Sequence, residues 1–358
     1  MTRTTTAPDS LSQRVGRTLR DGAGRLLRAR PRPRGWRTVP YGMFDTARHG
    51  LDAQNARVLE RIYHKGHALA WDGKEVLASL IATHGQPQMD DVSKRALGRV
   101  FALIKWGELA AWRISAELAD ELEPLEAKMA ATSQAFDEAR HFYVMHDYLE
   151  ALGVEAEPLG WGPTRLLEGV MNADHLSKKL LGMQLMIEPI ALTLFQIIKR
   201  MQVEPVLAGL MPYYERDEAR HVALGLKYLP AMLSTMSAAE RVSLWGYQFK
   251  LLTYEVFGSL DIARDLQTLG LDPRELIHVG KGKQLKALEA VFESLGVESA
   301  LPATVLDRYS DVLMELTFPD DSGLGSRLQK AAAQLRGGNV YDDVEIVPDI
   351  GDAGTACG

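Results

Sequence analysis

The pentapeptide Asp-Glu-Ala-Arg-His occurs twice in the chain, at Asp137–His141 and again at Asp217–His221. The two copies are 80 residues apart, and Glu108 and Glu188 are separated by the same 80 residues. Each half of this repeat therefore has a Glu followed, thirty residues later, by Glu-x-x-His. Glu and His three residues apart share one face of an α-helix. The repeat predicts two equivalent helical units that present the same side chains.

Each half of the repeat is expected to fold as a helical hairpin. The midpoints of the two thirty-residue intervals are residues 123 and 203, and Pro124 and Pro205 lie beside them. Fifteen residues of helix rise about 22 Å, so the two acids of a hairpin lie equally far from its turn and can face each other. Together the hairpins bring four Glu and two His into one bundle core: Glu108, Glu138, His141, Glu188, Glu218 and His221.

The surroundings of Glu188 favour a metal site. This acid lies in the apolar stretch LLGMQLMIEPIALTLFQII, residues 180–198, and Pro189 follows it. An unpaired buried carboxylate costs several kcal/mol. Four carboxylates balance the charge of two divalent metal ions, and carboxylates with imidazoles suit iron or manganese. For Pro189 two interpretations stay open, a π-type bulge that turns Glu188 inward or a tolerated kink.

The other residues of the pentapeptides are expected to support the metal ligands. A metal-bound His usually donates its remaining N–H to a carboxylate. Asp137 and Asp217 are placed for this role, each towards the His of the other hairpin. Arg140 and Arg220 would pair with these Asp residues and keep them from binding metal themselves.

Charge is unevenly distributed along the 358 residues. The chain has a net charge of −6, but residues 1–40 contain ten Arg and two Asp, which gives that segment +8 and leaves about −14 on the rest. An acidic body argues against a nucleic-acid partner. The Arg-rich segment is expected to be a flexible tail. Two roles stay open for it: attraction of an acidic electron donor or carrier protein, or a tail that only aids solubility or remains from targeting.

Cysteine content and hydropathy indicate the cellular compartment of the protein. Cys357 is the one cysteine, which excludes an internal disulfide and a cysteine-ligated iron–sulfur cluster. This usage fits a cytoplasmic protein, and no apolar segment typical of a secretory signal follows the N-terminus. Residues 180–198 are long enough to cross a bilayer, but the charge and the proline inside them argue against a membrane span.

Apolar residues recur with helical period throughout, which indicates an all-α protein. The expected organisation is a tail at 1–40, N-terminal helices at 41–90, the bundle at 91–233, C-terminal helices at 234–337 and a flexible acidic tail at 338–358. The four bundle helices are expected at about 92–122, 125–152, 174–203 and 205–229, the last ending at Pro230. Ser237 and Glu240 form a capping-box pattern for the next helix, and further helices are expected at 282–295, 302–317 and 324–336.

The sequence resembles the ferritin-like di-iron carboxylate oxidase and oxygenase superfamily over about residues 92–233. Its motifs are similar to those of the hydroxylase alpha subunits of bacterial multicomponent monooxygenases and of the acyl-carrier-protein desaturases. The resemblance implies a ferritin-like four-helix bundle with additional N- and C-terminal helices. It also implies one iron on Glu108, Glu138 and His141, a second on Glu188, Glu218 and His221, and a bridging capacity for Glu138 and Glu218.

Three positions depart from related enzymes. The monooxygenases have a Thr four residues after the third ligand Glu, where this chain has Leu192, with Thr193 one residue later. Ribonucleotide reductase small subunits have their radical Tyr four residues after the first His, where this chain has Met145. Arylamine N-oxygenases have a third His at the position of Tyr214. Tyr214 is therefore expected to face the metals as a hydrogen-bond donor or redox group, with a packed core Tyr as the alternative.

The resemblance implies an O2-dependent oxidoreductase with two iron ions, or manganese and iron, and O2 as co-substrate. The substrate would be an organic small molecule or a carrier-bound group, and the reaction hydroxylation, N-oxygenation or desaturation. Because the chain has no Gly-rich dinucleotide fingerprint, electrons would come from an external ferredoxin or reductase. A ferritin-like iron-handling protein and a ribonucleotide-reductase-like radical subunit are the alternatives, and a homodimer stays open.

Overall fold

The computed structural model describes residues 46–296, 301–318 and 323–335. The predicted tails at 1–40 and 338–358, with Cys357, lie outside these residues. The chain divides into two compact units, residues 1–49 and residues 50–358, and the helices described below belong to the second unit apart from residues 46–49.

Every regular element in the described ranges is a helix, and no strand occurs in them, as the sequence predicts. In chain order the helices are α1 (Thr46–Ala68), α2 (Gly73–His84), α3 (Asp91–Glu121), α4 (Leu125–Leu152), α5 (Trp161–Met171), α6 (Leu176–Met201), α7 (Pro205–Thr235), α8 (Ala238–Thr268), α9 (Pro273–Ser294), α10 (Leu301–Thr317) and α11 (Leu324–Gln334).

Two helical hairpins form the bundle. Helices α3 and α4 pack against each other along their length, α6 and α7 do the same, and α4 lies against α7. The turns carry the predicted prolines: Pro124 is the N-cap of α4, and Pro205 is the first residue of α7, where a missing N–H is tolerated.

Side chains and glycine define the helix ends. The carboxylate of Asp90 accepts hydrogen bonds from the backbone N–H groups of Val92 and Ser93 at the start of α3. At the end of α4, Gly153 has a φ of 75°, which residues with a Cβ rarely adopt. The predicted capping box of Ser237 and Glu240 is present at the start of α8.

Two helix bounds predicted from the sequence were wrong, and one helix was missed. Pro230 does not end α7, which continues to Thr235 because Leu229 and Leu233 are buried in the core and hold the last turns in place. Helix α9 begins at Pro273 and not near residue 282, since Asp272 caps it there.

Helix α5 was missed because Gly160, Gly162 and Pro163 are typical of a loop. The structure gives the glycine a packing role. A Cβ on Gly162 would lie 2.4 Å from the backbone nitrogen of Gly258, so α5 and α8 approach closely there. Pro163 lies in the first turn of α5, where its missing N–H has no partner in any case.

The hydrophobic core consists of two clusters with a polar layer between them. One cluster lies near the α3–α4 turn and includes Leu118, Ala127, Met183 and Leu229. The other lies near the α6–α7 turn and includes Phe101, Met145, Phe195 and Leu210. Each bundle helix contributes to both clusters and passes through the polar layer between them.

Helix α6 is the one described helix that is long and apolar enough to cross a membrane. Its most apolar window is 78% buried inside the protein. Neighbouring helices therefore cover most of the apolar surface that a membrane span would present to lipid.

Candidate metal centre

The polar layer of the bundle contains the six side chains that the repeat singles out. None of the six is more than 5% exposed. Their donor atoms form two overlapping groups, in each of which the atoms lie within 4.8 Å of one another. The first group is Glu108, Glu138, His141 and Glu218, and the second is Glu138, Glu188, Glu218 and His221.

His141 marks one end of this cluster. Its Nδ1 atom lies 3.4 Å from Oε2 of Glu108, 3.4 Å from Oε2 of Glu138 and 3.1 Å from Oε1 of Glu218. The imidazole thus directs one ring nitrogen towards three carboxylates from three different helices, α3, α4 and α7.

His221 marks the other end. Its Nδ1 atom lies 2.9 Å from Oε1 of Glu138, 2.7 Å from Oε2 of Glu218 and 3.9 Å from Oε1 of Glu188. Glu138 and Glu218 therefore each present one oxygen to the His141 end and the other to the His221 end. This is the arrangement that two bridging carboxylates require.

The inward-facing atoms fit a pair of metal ions. Nδ1 of His141, Oε2 of Glu138 and Oε1 of Glu218 are buried and have no hydrogen-bond partner in the protein. Buried polar atoms are almost always paired, and an unpaired one costs about 1–3 kcal/mol. Lone pairs that converge without donors are what a cation would satisfy, and the oxygen and imidazole donors suit iron or manganese.

Without metal, the cluster balances its own charge. Burial raises the pKa of Glu108 and of Glu188 well above the ordinary value, which keeps both neutral. Burial also opposes ionisation of Glu138, but the charge of His221 and the close contacts with both imidazoles hold its pKa well below the ordinary value. The pKa of Glu218 is lowered as well, against burial and the charge of Glu138, by the charge of His221 and by the close contacts with both imidazoles.

The two imidazoles carry the compensating positive charge. Burial alone would lower the pKa of His141, but the hydrogen bond with Asp217 and the contacts with Glu108 raise it well above the ordinary value. For His221, burial is outweighed by Glu138 and Glu218, so its pKa is also raised. Metal binding must displace these protons, since a ligand His is neutral and a ligand Glu is ionised.

The predicted Asp residues lie behind the imidazoles, and the contacts cross between the hairpins. Nε2 of His141 lies 3.2 Å from Oδ2 of Asp217, and Nε2 of His221 lies 3.4 Å from Oδ2 of Asp137. Each His thus has one nitrogen towards the cluster and the other on an acid of the opposite hairpin. This fixes the orientation of both rings.

The two Arg residues of the pentapeptides lie in this layer and connect both acids. Nη2 of Arg140 donates to Oδ1 of Asp137 at 2.6 Å and to Oδ2 of Asp217 at 2.7 Å. Nη2 of Arg220 donates to Oδ2 of Asp137 at 2.8 Å and to Oδ1 of Asp217 at 2.7 Å. Two carboxylates and two guanidinium groups form a buried, charge-balanced square that ties α4 to α7.

Two glutamines that sequence reasoning missed also contact the cluster. Nε2 of Gln134 donates to Oε1 of Glu138 at 3.1 Å and to Oε1 of Glu188 at 2.9 Å. Oε1 of Gln134 accepts from Gln184 at 3.1 Å. Each Gln stands four residues before a ligand Glu, on the same helix face, and this repeated spacing in an apolar context could have identified both.

Trp71 was also missed, and no sequence pattern marks it. It lies between α1 and α2, and its Nε1–H donates to Oδ2 of Asp217 at 2.7 Å. Its ring lies 4.7 Å from the guanidinium carbon of Arg140. Trp71 therefore covers the Asp–Arg layer on the side of the N-terminal helices.

Tyr214 lies next to the cluster, but its hydroxyl group points away from the carboxylates. The hydroxyl donates to the backbone carbonyl of His141 at 2.8 Å, and the two rings stack with their centroids 4.3 Å apart. Burial raises the pKa of Tyr214 well above its usual value, so the phenol stays protonated. Tyr214 therefore contacts the cluster only through the backbone and the ring of His141.

The backbone before Glu188 confirms the π-type interpretation of Pro189. Residues Leu181–Ile187 form a π-helical segment within α6, and the N–H of Glu188 bonds to the carbonyl of Met183, five residues back. Pro189 cannot supply the next N–H, so it disfavours a regular α-helix at this point. Thr193 lies one turn on, and its hydroxyl donates to the carbonyl of Pro189 at 2.7 Å.

Comparison with known proteins identifies the fold. No family model matches the sequence, and no curated protein matches it. Among solved structures, the chain is similar to a protein from Synechococcus described as "Protein 19 with aldehyde deformylating oxidase activity". The match has a TM-score of 0.50 and 18% sequence identity, and it covers 61% of this chain and 96% of that one. At this identity the likeness concerns architecture alone: the chain has the fold of a ferritin-like helical bundle, with additional helices outside the matched part.

Proposed function

We propose that this protein is a non-haem di-iron oxidoreductase that uses O2 to oxidise an organic substrate. The observation that carries the proposal is the sharing of Glu138 and Glu218 between two His-marked ends of one buried cluster. A single metal ion would use only one of these ends, whereas two ions use both. Four carboxylates also match the charge of two divalent ions.

The six residues would form two sets of metal ligands, one at each end of the cluster. Glu108 and His141 would hold one ion, Glu188 and His221 the other, and Glu138 and Glu218 would bridge them. When bound, two iron ions supply the redox chemistry with O2 that side chains cannot supply, and manganese is the competing metal. The protein holds the donors in place before metal arrives, because the Asp–Arg layer and the two glutamines orient them.

Burial protects the chemistry from water. The six donors lie between two hydrophobic clusters and are nearly inaccessible to solvent. A dry site strengthens the electrostatic interactions of its charged groups and limits side reactions of reactive species. The same property distinguishes an oxidising centre from a surface metal-binding patch.

The reaction class and the electron source follow from the sequence resemblance. The reaction would be hydroxylation, N-oxygenation or desaturation, on a small molecule or a carrier-bound group, in the cytoplasm. Electrons would come from a separate ferredoxin or reductase. The similar Synechococcus protein is described as having an oxidase activity, which supports the general class and leaves the substrate open.

The experiment mixes anaerobic, iron(II)-loaded protein with O2 and measures O2 consumption and product formation. The substrates are hydrocarbons, arylamines and acyl groups on a carrier, each supplied with a ferredoxin and its reductase. We expect one substrate class to yield an oxidised product in wild-type protein and none in Glu138→Ala. His84→Ala, at an exposed position on α2, is the matched control and should behave as wild type.

Two outcomes would contradict this function. Uptake of many iron ions by a large multi-subunit shell in gel filtration would indicate iron handling. A stable tyrosyl radical after O2 exposure, without turnover of any substrate class, would indicate a radical subunit.

A further inference from the structure

The two halves of the repeat differ at a position that contacts the cluster. Gln134 lies four residues before Glu138 on α4, and the offset of the repeat places Tyr214 at the equivalent position of α7. The amide of Gln134 donates hydrogen bonds to ligand carboxylates, whereas the hydroxyl of Tyr214 donates to the backbone carbonyl of His141. The six donor side chains are repeated in both halves, but the residues that support them are not.

The His141 end of the cluster offers donor atoms that have no hydrogen bonds. Nδ1 of His141, Oε2 of Glu138 and Oε1 of Glu218 are buried, and none has a hydrogen-bond partner in the described part of the chain. The three atoms lie together, because Nδ1 of His141 is 3.4 Å from Oε2 of Glu138 and 3.1 Å from Oε1 of Glu218. A metal ion at this end would bind these atoms without breaking a hydrogen bond.

The His221 end holds its donor atoms in hydrogen bonds. Nδ1 of His221 bonds to Oε2 of Glu218 at 2.7 Å. Nε2 of Gln134 donates to Oε1 of Glu138 at 3.1 Å and to Oε1 of Glu188 at 2.9 Å. A metal ion at this end has to break the bond between His221 and Glu218, because it needs both atoms as ligands.

The hydrogen bond from Gln134 holds Glu188 in place. Oε1 of Glu188 lies 3.9 Å from Nδ1 of His221, a longer contact than the two bridging carboxylates make with that nitrogen. The Gln134 amide is itself fixed, since its Oε1 accepts from Nε2 of Gln184 at 3.1 Å. A carboxylate oxygen has more than one lone pair, so it can bind a metal ion and keep the hydrogen bond from Gln134.

We propose that the two metal positions are inequivalent: the His141 end binds the first ion, and Gln134 positions Glu188 for the second ion at the His221 end. The inference rests on the proposed di-iron function and gives a positioning role to a residue outside the ligand set. Binding should occur in two steps, the first about tenfold or more tighter than the second. The reason is that only the second step breaks a hydrogen bond between a ligand imidazole and a ligand carboxylate, and hydrogen bonds of charged groups are the stronger ones.

The test titrates the metal-free full chain with cobalt(II) and follows the heat and the visible absorption of the bound ion. Glu108→Gln and Glu188→Gln identify the two ends, since each removes a carboxylate that belongs to one donor group alone and keeps the side-chain shape. We expect wild type to bind in two steps. Glu188→Gln should lose the weaker step, and Glu108→Gln should lose the tighter one.

Gln134→Met separates a positioning role from a merely structural one. Met is similar in volume and has no N–H donor, so this variant removes both hydrogen bonds with little change in packing. We expect the weaker step to lose affinity by about tenfold or more, while the tighter step stays within about threefold of wild type. Gln88→Met, at an exposed position before α3, is the matched control and should keep both steps. A residue that supported only the fold would change both steps together.

Three results would overturn the inference: two steps of equal affinity in wild type, loss of the tighter step in Glu188→Gln, or equal loss of both steps in Gln134→Met. Circular dichroism checks that each variant keeps the helical content of wild type. Binding of a single cobalt ion by wild type would contradict the two-metal centre itself. Failure of the binding order and failure of the proposed function thus give different results.

Discussion

Nε2 of His141 lies 3.2 Å from Oδ2 of Asp217, an acid that belongs to the other helical hairpin. The equivalent contact joins His221 to Asp137 at 3.4 Å. Each hairpin therefore supplies the imidazole of one end of the cluster and the acid that orients the imidazole of the other end. The two halves of the repeat depend on each other, and neither hairpin alone contains a complete site.

Removal of either crossed contact should weaken metal binding. In Asp137→Asn and Asp217→Asn, the neutral amide orients the imidazole poorly and leaves Arg140 and Arg220 with less negative charge beside them. Losing such a partner typically costs about 10–100-fold in metal affinity or activity. Competition with a metal chelator measures the affinity, and circular dichroism checks the fold. Asp120→Asn, at an exposed acid near the end of α3, is the control. Wild-type affinity in both variants would remove the two acids from the site.

Tyr214→Phe should lower stability and spare the metal. The substitution removes the hydrogen bond to the carbonyl of His141 and keeps the stacked ring. We expect a loss of about 0.5–1.5 kcal/mol in the free energy of unfolding, the usual net value of one hydrogen bond, measured by chemical denaturation. Metal content should equal that of wild type. Loss of a tyrosyl radical signal on O2 exposure, with unchanged stability, would instead show a redox role.

Gly225→Ala should disturb the π-helical segment from the α7 side. A Cβ at this position would lie 2.7 Å from Cβ of Gln184 and 2.9 Å from Cδ2 of Leu185. Overpacking of this kind costs about 1–3 kcal/mol and should shift Gln184 from its hydrogen bond with Gln134. Thermal denaturation and chemical denaturation measure the loss.

Gly246→Ala is the matched control for this effect. It lies in the interior of α8, and an added Cβ meets no atom within 4 Å. Replacing Gly by Ala in such a position should stabilise the protein by about 0.5–1 kcal/mol through helix propensity. Equal effects of the two substitutions would show that α7 and α6 do not pack closely at Gly225.

Glu255 should make the metal-free protein less stable as the pH rises. Its pKa is about 8 in the folded protein and near 4.5 when unfolded, so between these values only the folded state holds the proton. Stability should therefore fall by up to about 1.4 kcal/mol per pH unit from pH 5 to 8 and level off above it. Denaturation of wild type and Glu255→Gln across this range isolates the effect. A stability difference between them that does not change with pH would contradict the raised pKa.

The fold and the six cluster residues could be predicted from the sequence because the repeat is regular. Equal offsets place Glu108 opposite Glu138 and Glu188 opposite Glu218 without any knowledge of packing. Pro189 showed that the helix is irregular beside Glu188, but the sequence left a π-type bulge and a tolerated kink open, and the structure decides for the π-helical segment. The crossed Asp contacts followed from the chemistry of a ligand imidazole and the symmetry of the two hairpins.

The residues that were missed depend on contacts between distant parts of the chain. Trp71 reaches Asp217 from a loop 146 residues away, and Gln284 reaches Met186 across 98 residues. No periodicity links such positions. Helix α5 was missed because Gly162 is locally typical of a loop, whereas its true role is to let α5 approach Gly258.

The central claim is that Glu138 and His221 belong to a site for two metal ions, and metal content per chain tests it most directly. Protein produced with ample iron should contain about two metal ions per chain by inductively coupled plasma mass spectrometry. Glu138→Ala and His221→Ala should lose most of the metal, and Glu138→Gln, which keeps the side-chain shape, should also lose it. Glu121→Ala and His84→Ala, at exposed positions, should keep both ions. Retention of two ions and an unchanged optical spectrum in Glu138→Ala and His221→Ala would contradict the account.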